Sequence, residues 1–171
     1  MVLKSLKDFN FKIIVSLKKN DTKTINSIVE NKNVKLYFQN GVGYGNSLRE
    51  AINICQTKYF CIFNADGSFQ EKDLIKMYDQ IKNYDFIFAT RYEYSGGSDD
   101  DTIITLIGNK FFSKLGNLLF SLKLSDILYT YIMGKTDSFK DLKIVSNDFR
   151  FCVELPIKMQ FKKMSYKCLP S

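Results

Sequence analysis

Short apolar runs alternate with amphipathic segments through the first half of the chain. Residues 11–17 (FKIIVSL) and 34–38 (VKLYF) are runs of strand length bounded by polar residues. Between them Asn20 or Asp21 is placed to cap a helix carrying Ile25, Ile28 and Val29 on one face. Beyond a glycine cluster, Leu48, Ala51, Ile52 and Cys55 recur at helical spacing. Residues 58–63 read as a third strand. Leu74, Met77, Tyr78 and Ile81 mark another amphipathic helix, and residues 84–90 (YDFIFAT) form a fourth strand that ends at Arg91. This alternation predicts an α/β fold: a Rossmann-like, mainly parallel sheet with helices on both faces.

The rhythm changes after Arg91. Residues 92–101 are a loop rich in Gly, Ser and Asp. A long helix follows, with Ile104, Ile107, Phe111, Leu115, Leu118 and Leu122 on one apolar stripe. Gly108, Asn109, Gly116 and Asn117 interrupt it, as sites of close backbone approach or as positions facing water. Residues 126–133 look extended and aromatic. A last helix carries Val153, Ile157, Phe161 and Met164, where Pro156 is tolerable only near the first turn. Residues 166–169 suit a final short strand. No repeat, low-complexity segment or linker divides the chain, so residues 1–171 read as a single domain.

Composition narrows the chemistry. The sequence has 171 residues, a net charge of +7 carried mostly by lysine, and no histidine. Absence of histidine excludes Ser-His-Asp and Cys-His nucleophiles and His-ligated zinc. Chemistry must rest on carboxylates, amides, Lys, Arg or an oxygen-held metal. The basic charge suits an anionic membrane surface or a phosphorylated substrate, but no compact Arg/Lys block supports nucleic-acid binding. Cys55, Cys61, Cys152 and Cys168 lack C-x-x-C spacing, and the first three fall in apolar patterns. Buried reduced thiols and a cytoplasmic setting follow. No apolar stretch reaches the length of a membrane span.

The most informative run is residues 59–68 (YFCIFNADGS). An apolar strand stops abruptly at Asn64-x-Asp66 and a Gly67-Ser68 turn. Parallel sheets place ligands at the carboxyl ends of their strands. Two oxygen-bearing side chains two residues apart there can hold a hard cation and its phosphates. Asp66-Gly67 equally suits a plain turn. The segment 41–46 (GVGYGN) links a strand to a helix and can offer backbone N–H groups to a phosphate, through Gly43, Gly45 and Asn46. Its third glycine comes one residue too early for the dinucleotide fingerprint. Arg91, if on the same sheet edge as Asp66, can clamp a diphosphate; a surface pair with Glu93 is the alternative. Asp99–Asp101 suit a solvated loop and helix cap. Asp126 and Glu154 are carboxylates able to reach the cleft as a base or acceptor-orienting group, or to compensate helix dipoles.

Taken together, these motifs resemble family 2 glycosyltransferases of the GT-A fold, nearest to the dolichyl- or polyprenyl-phosphate sugar synthases. The segment 43–52 (GYGNSLREAI) is similar to the family's glycine-rich loop and helix, and 63–69 (FNADGSF) to its D-x-D region with Asn in the first position. Thr90-Arg91-Tyr92 with Gly96-Gly97, then Gly108-Asn109, Ser125-Asp126, 151–156 and 166–171 follow in the family's order. The resemblance spans about residues 11–171. It implies a UDP- or GDP-sugar donor held at Gly43, Gly45, Asn46, Asn64, Asp66 and Ser68. Mg²⁺ or Mn²⁺ would sit at Asp66 with Asn64 beside it. Arg91 would stabilise the departing diphosphate, Asp126 would be the base toward a hydroxyl acceptor, and Glu154 would lie on the acceptor side. The acceptor would be a lipid phosphate or a glycan, reached with inversion at the cytoplasmic, inner face of a membrane.

Three departures accompany the resemblance. Nothing before Phe11 supplies the family's first strand. Ser16, Leu17 and Lys18 stand where acidic residues normally hold the nucleobase. The basic segment after the last strand is missing. The domain is therefore expected to be incomplete at both ends, with a partner chain as one source of the missing strand. A non-catalytic descendant that binds only a nucleotide or partner, and an unrelated dinucleotide-binding protein, are the competing readings.

Overall fold

The computed structural model describes residues 2–6, 9–31, 33–90 and 103–171. In chain order the elements are α1 (Val2–Ser5), β1 (Ile13–Leu17), α2 (Thr22–Ile28), β2 (Val34–Phe38), α3 (Tyr44–Asn53), β3 (Tyr59–Cys61) and α4 (Glu71–Gln80). A 3₁₀ turn over Ile81–Asn83 precedes β4 (Phe86–Thr90). Then come α5 (Ile103–Phe120), β5 (Ile132–Lys135), α6 (Thr136–Leu142), α7 (Phe151–Phe161) and β6 (Tyr166–Pro170). Local chemistry explains several boundaries. The Asp21 carboxylate accepts the Thr24 N–H at 3.2 Å and caps α2. Glu71 and Asp73 in the first turn of α4 complement its dipole.

The α/β architecture matches expectation, but the sheet is mixed and in two pieces. β1 and β2 pair in parallel as a two-stranded unit, while the other strands form a sheet of order β3-β5-β4-β6. β5 runs antiparallel between β3 and β4, and β6 lies parallel to β4. β3 and β4, each antiparallel to β5, therefore point the same way, with β5 wedged between them. Among the described residues β1 and β3 each keep one edge unpaired.

Two cores flank the larger sheet, as side-chain alternation demands. Phe86, Phe88 and Ile132 face one core with Ile52, Phe139, Phe151, Leu155 and Met159. Ile87, Ala89, Tyr131 and Met133 face the other with Leu74, Met77 and Ile81 of the α4 side. β4 is buried along its whole length. The two-stranded unit is tied to the rest through α3. Ser16 Oγ donates to Ser47 O at 3.2 Å and accepts from Ser47 Oγ at 2.7 Å. The Glu50 carboxylate accepts from Tyr37 Oη, the Asn40 and Gly41 N–H groups and Asn46 Nδ2.

The orientation of α5 departs from its sequence pattern. Ser113 and Gly116 are buried, while Phe111, Leu115 and Leu118 of the apolar stripe are exposed. The helix is held by its polar side. Ser113 Oγ accepts the Ile127 N–H at 3.0 Å, and Asn117 bonds both the C=O and the N–H of Leu124, at 2.7 and 3.1 Å. Gly116 admits Ile127, whose Cδ1 lies 2.8 Å from where a Cβ would stand. Close approach, one of the two sequence alternatives, is thus what Gly116 and Asn117 serve. Pro156 is the sixth residue of α7, deeper than the first turn, although N–H bonds to Asp148, Phe149 and Arg150 carbonyls begin the coil before Phe151.

Candidate functional site

Register assembles the site at one edge of the larger sheet. Cys61 pairs with Met133 and the Ile62 N–H reaches Ile132 O at 2.9 Å, so continuing the ladder sets Asn64 opposite Thr130. Phe88 pairs with Ile132, which by the same count sets Thr90 across from Thr130. The first turn of α3 closes over this edge. Tyr44 Oη lies 2.6 Å from Thr130 Oγ1 and donates to Asn64 Oδ1 at 3.3 Å. A phenol has one proton, so Thr130 donates to Tyr44 and Tyr44 to Asn64, a directed relay. Burial raises the Tyr44 phenol above its ordinary value, which keeps it a neutral donor. Phe149 stacks on Tyr44 with centroids 4.9 Å apart and is 72% exposed at the rim.

Asp66 sits just beyond Asn64 on an exposed turn. Its Oδ1 accepts from Ser68 Oγ at 2.6 Å and from the Ser68 N–H at 2.9 Å. The Ser68 hydroxyl is the main reason the carboxyl lies below its ordinary value, so Asp66 is ionised at neutral pH. The turn reading of this segment therefore holds. Asp126 is buried, and its Oδ1 accepts the Leu128 N–H at 3.0 Å. Its charge reaches Cys152, whose thiol is pushed up to about 11 by burial first and by Asp126 in addition. Cys152 is thus an inert thiol beside the site, and all four cysteines are free.

The glycine loop meets the protein's own backbone. Gly43 has φ +113°, and a Cβ there would fall inside the shell of the Asn147 carbonyl oxygen. A Cβ on Gly45 would stand 2.6 Å from Asp148 O. The Asn46 N–H donates to Asn147 O at 2.9 Å, so this amide is already committed, and its buried side chain bonds Glu50 and Arg49. Gly43, Gly45 and Asn46 are therefore the seat on which residues 146–148 rest. Glu154 fastens that segment from the other side, accepting the Val145 and Ser146 N–H groups at 2.9 and 2.7 Å and pairing with Lys158 at 2.7 Å. Arg49 completes the clasp through Asn147 Oδ1 at 2.7 Å.

Of the expected site residues, the structure gathers Asn64, Asp66 and Ser68 at one end of the larger sheet, while Asp126 is buried beside Cys152. It gives Gly43, Gly45, Asn46 and Glu154 places in the scaffold behind it. Arg91 and the 92–101 loop lie outside the described residues. Tyr44, Thr130 and Phe149 were not singled out as site residues. Tyr44 stood inside the quoted glycine motif, whereas Thr130 depends on antiparallel register that no local pattern reveals. No group of three or more Cys, Asp or Glu gathers around a metal position among the described residues. An ionised Asp66 with an amide oxygen close by nevertheless fits Mg²⁺ or Mn²⁺, because such ions are held by one or two carboxylates together with substrate phosphates.

Comparison with known proteins agrees with this architecture. The chain is 22% identical over 173 aligned positions to the glycosyltransferase AglJ of Haloferax volcanii, covering 99% of this chain and 56% of that protein. It thus spans about half the length of that curated relative. Among solved structures, it resembles one from Desulfovibrio desulfuricans described as a nucleotide-diphospho-sugar transferase, with TM-score 0.58, 12% identity, and coverage of 99% of this chain and 63% of that one. The bifunctional IspDF of Campylobacter jejuni matches with TM-score 0.55 and 13% identity, over 99% of this chain and 39% of that one. At such identities the structures speak to fold alone. Residues 2–143 match the model of glycosyl transferase family 2, and the chain belongs to that family.

Proposed function

We propose that this chain transfers a sugar from a UDP- or GDP-sugar to a lipid-phosphate or glycan acceptor, with inversion and with help from Mg²⁺ or Mn²⁺. The observation that carries the reading is the convergence of Asn64, Asp66, Thr130 and the Tyr44 hydroxyl at one end of the sheet, with a buried carboxylate, Asp126, four residues before Thr130 in the chain. Asp66 and Asn64 would hold the metal, which when bound would neutralise the donor's diphosphate and stabilise its departure. The relay from Thr130 through Tyr44 fixes the Asn64 oxygen toward that position. Ser68 keeps Asp66 ionised and oriented. Phe149 offers a flat face at the rim for the sugar ring. Asp126 would take the proton of a hydroxyl acceptor; a phosphate acceptor is already anionic and needs little such help. Arg91 is assigned the diphosphate as a counter-charge.

A second reading, a descendant that binds a nucleotide or partner without transferring sugar, draws on two observations. Ser16 and Ser47 bond each other at the tip of β1, where an acidic residue would hold a nucleobase. The unpaired edges of β1 and β3 also leave room for a strand from a partner chain. One thermal-shift experiment separates the readings. Wild type should be stabilised by UDP or GDP only with Mn²⁺, and Asp66→Ala should lose that shift while melting normally. Mn²⁺-dependent binding without sugar turnover would select the descendant, and a shift that survives in Asp66→Ala would refute the assignment of the metal.

A further inference from the structure

Two strand edges lie open at the seam between the two sheets, and hydrogen bonding fixes which backbone groups they carry. Leu17 O accepts the Gln39 N–H, so in the parallel ladder Ile13, Val15 and Leu17 bond β2. Ile14 and Ser16 turn their N–H and C=O groups to the other edge. The Ile62 N–H reaches Ile132 O and the Thr136 N–H reaches Lys58 O, so Tyr59 and Cys61 likewise turn away from β5. Among the described residues, the one such group that meets a partner is the Tyr59 carbonyl, which accepts the Thr57 hydroxyl at 2.8 Å. Both strands run the same way. Ser16 near the end of β1 bonds Ser47, and Asn64 beyond β3 bonds Tyr44, so both carboxyl ends meet the start of α3.

At the opposite ends of these strands, away from the candidate site, lies a groove of about 670 Å³. Its walls are the starts of β1 and β2, residues 54–57 that lead from α3 into β3, and the segment carrying Leu6 and Phe9. Leu6, Phe9, Ile13 and Tyr59 join the core on the α4 side, and Cys55 joins the core on the other. A strand laid along this seam is covered on both faces, which demands a near-continuous apolar run. Charge fixes its leading end. Lys12 and Lys35 line the groove and are exposed, and no described lining residue is acidic. We infer that the seam accepts an extended segment of another protein, about five residues long, apolar on both faces, led by acidic residues and running parallel to β1. Its alternate backbone groups would bond Ile14 and Ser16 on one side and Tyr59 and Cys61 on the other, joining the two sheets into one. A second copy of this chain does not supply it: its own acid-led strand, β4 behind Asp85, is buried and paired on both sides. The inference deepens the open-edge observation behind the second reading and rests on no step of sugar transfer.

The test is amide hydrogen exchange on the whole chain, without nucleotide, in the presence of a synthetic peptide that carries two aspartates ahead of alternating valine and isoleucine. With excess peptide the amides of Ile14, Ser16, Tyr59 and Cys61 should exchange about tenfold more slowly. The same peptide with a central proline, which lacks a donor, should protect none of them. Reversing both lysines, Lys12→Glu with Lys35→Glu, should weaken the acid-led peptide about fivefold and favour a lysine-led one. The melting curve should stay in place, because both side chains are exposed. Folded wild type whose four amides ignore the peptide, equal protection by the proline peptide, or an unchanged preference in the charge-reversed variant overturns the inference. So does protection of these amides in the free monomer, or protection that appears only as the free protein dimerises, since the chain itself would then fill the seam. With no nucleotide present, failure of the metal assignment at Asp66 leaves each of these outcomes readable.

Discussion

Replacing Glu154 with glutamine isolates the fastening of residues 145–148 from the chemistry they adjoin. The carboxylate accepts two backbone N–H groups and the Lys158 ammonium, and its side chain is 13% exposed. Glutamine keeps one oxygen but turns an amide NH₂ toward the other N–H, losing a charge-assisted bond worth about 2 kcal/mol. The acid titration gives a second measure. Burial alone would raise this carboxyl, but Lys158, Ser146 and Val145 outweigh it and bring it from 4.5 down to about 2. The full shift would amount to about 3 kcal/mol, and solvent screening at a partly open rim brings it to about 2 kcal/mol. A folded-state value depressed below the unfolded one means the stabilisation is complete above about pH 4.5 and vanishes as pH falls toward about 2. Urea unfolding should therefore show the midpoint of Glu154→Gln lowered by about 1 M at neutral pH. The gap to wild type should close progressively below about pH 4.5. A gap of constant size across that range, or none at neutral pH, would refute the role assigned to the charge.

Two further outcomes follow from the site. Gly43→Ala forces a Cβ against the Asn147 carbonyl at a positive φ, and should lower the melting temperature by about 5 °C or more; a wild-type melt would contradict the close approach. Asp126→Asn keeps an acceptor for the Leu128 N–H but removes the base. Transfer to a hydroxyl acceptor should slow about a hundredfold, with Mn²⁺-dependent nucleotide binding and transfer to a phosphate acceptor little changed. Loss of nucleotide binding would move Asp126 out of the acceptor role.

The first half of the fold was legible because its signals are local. β2 is the run 34–38, Asp21 does cap α2, and Leu48 and Ile52 do turn inward from α3. The second half was harder for physical reasons. β5 enters antiparallel between β3 and β4, a long-range pairing that periodicity does not encode. The seven residues of α6 are too few to display a helical period. Of the apolar stripe expected on α5, Phe111, Leu115 and Leu118 face solvent, because Ser113, Asn117 and Gly116 hold the inner side, whereas Leu122 just beyond the helix is buried. Asn64 and Asp66 were visible as oxygen-bearing side chains at a strand end, and Asp126 as a carboxylate opening an extended segment. Gly43, Gly45 and Asn46 looked like a phosphate cradle, since a loop that approaches its own backbone closely has the same composition as one that approaches a ligand.

The division of the sheet implies a graded stability. β4 is buried throughout and paired on both sides, whereas β1 and β2 are mostly half-buried and pair only with each other. Their polar connection to the body runs through α3, by way of Ser47 and Glu50, and Ile13 adds an apolar contact to the core on the α4 side. Opening of that small unit exposes little apolar surface and breaks few bonds beyond its own ladder, so it can come apart while the four-stranded body stays folded. Amide protons of residues 13–17 and 34–38 would exchange with solvent through such partial openings, and those of 86–90 only through global unfolding. The tip of β1 thus belongs to the mobile end of the molecule's energy landscape, while the start of α3 stays with the body, and whatever binds across the two would gain by ordering both units at once.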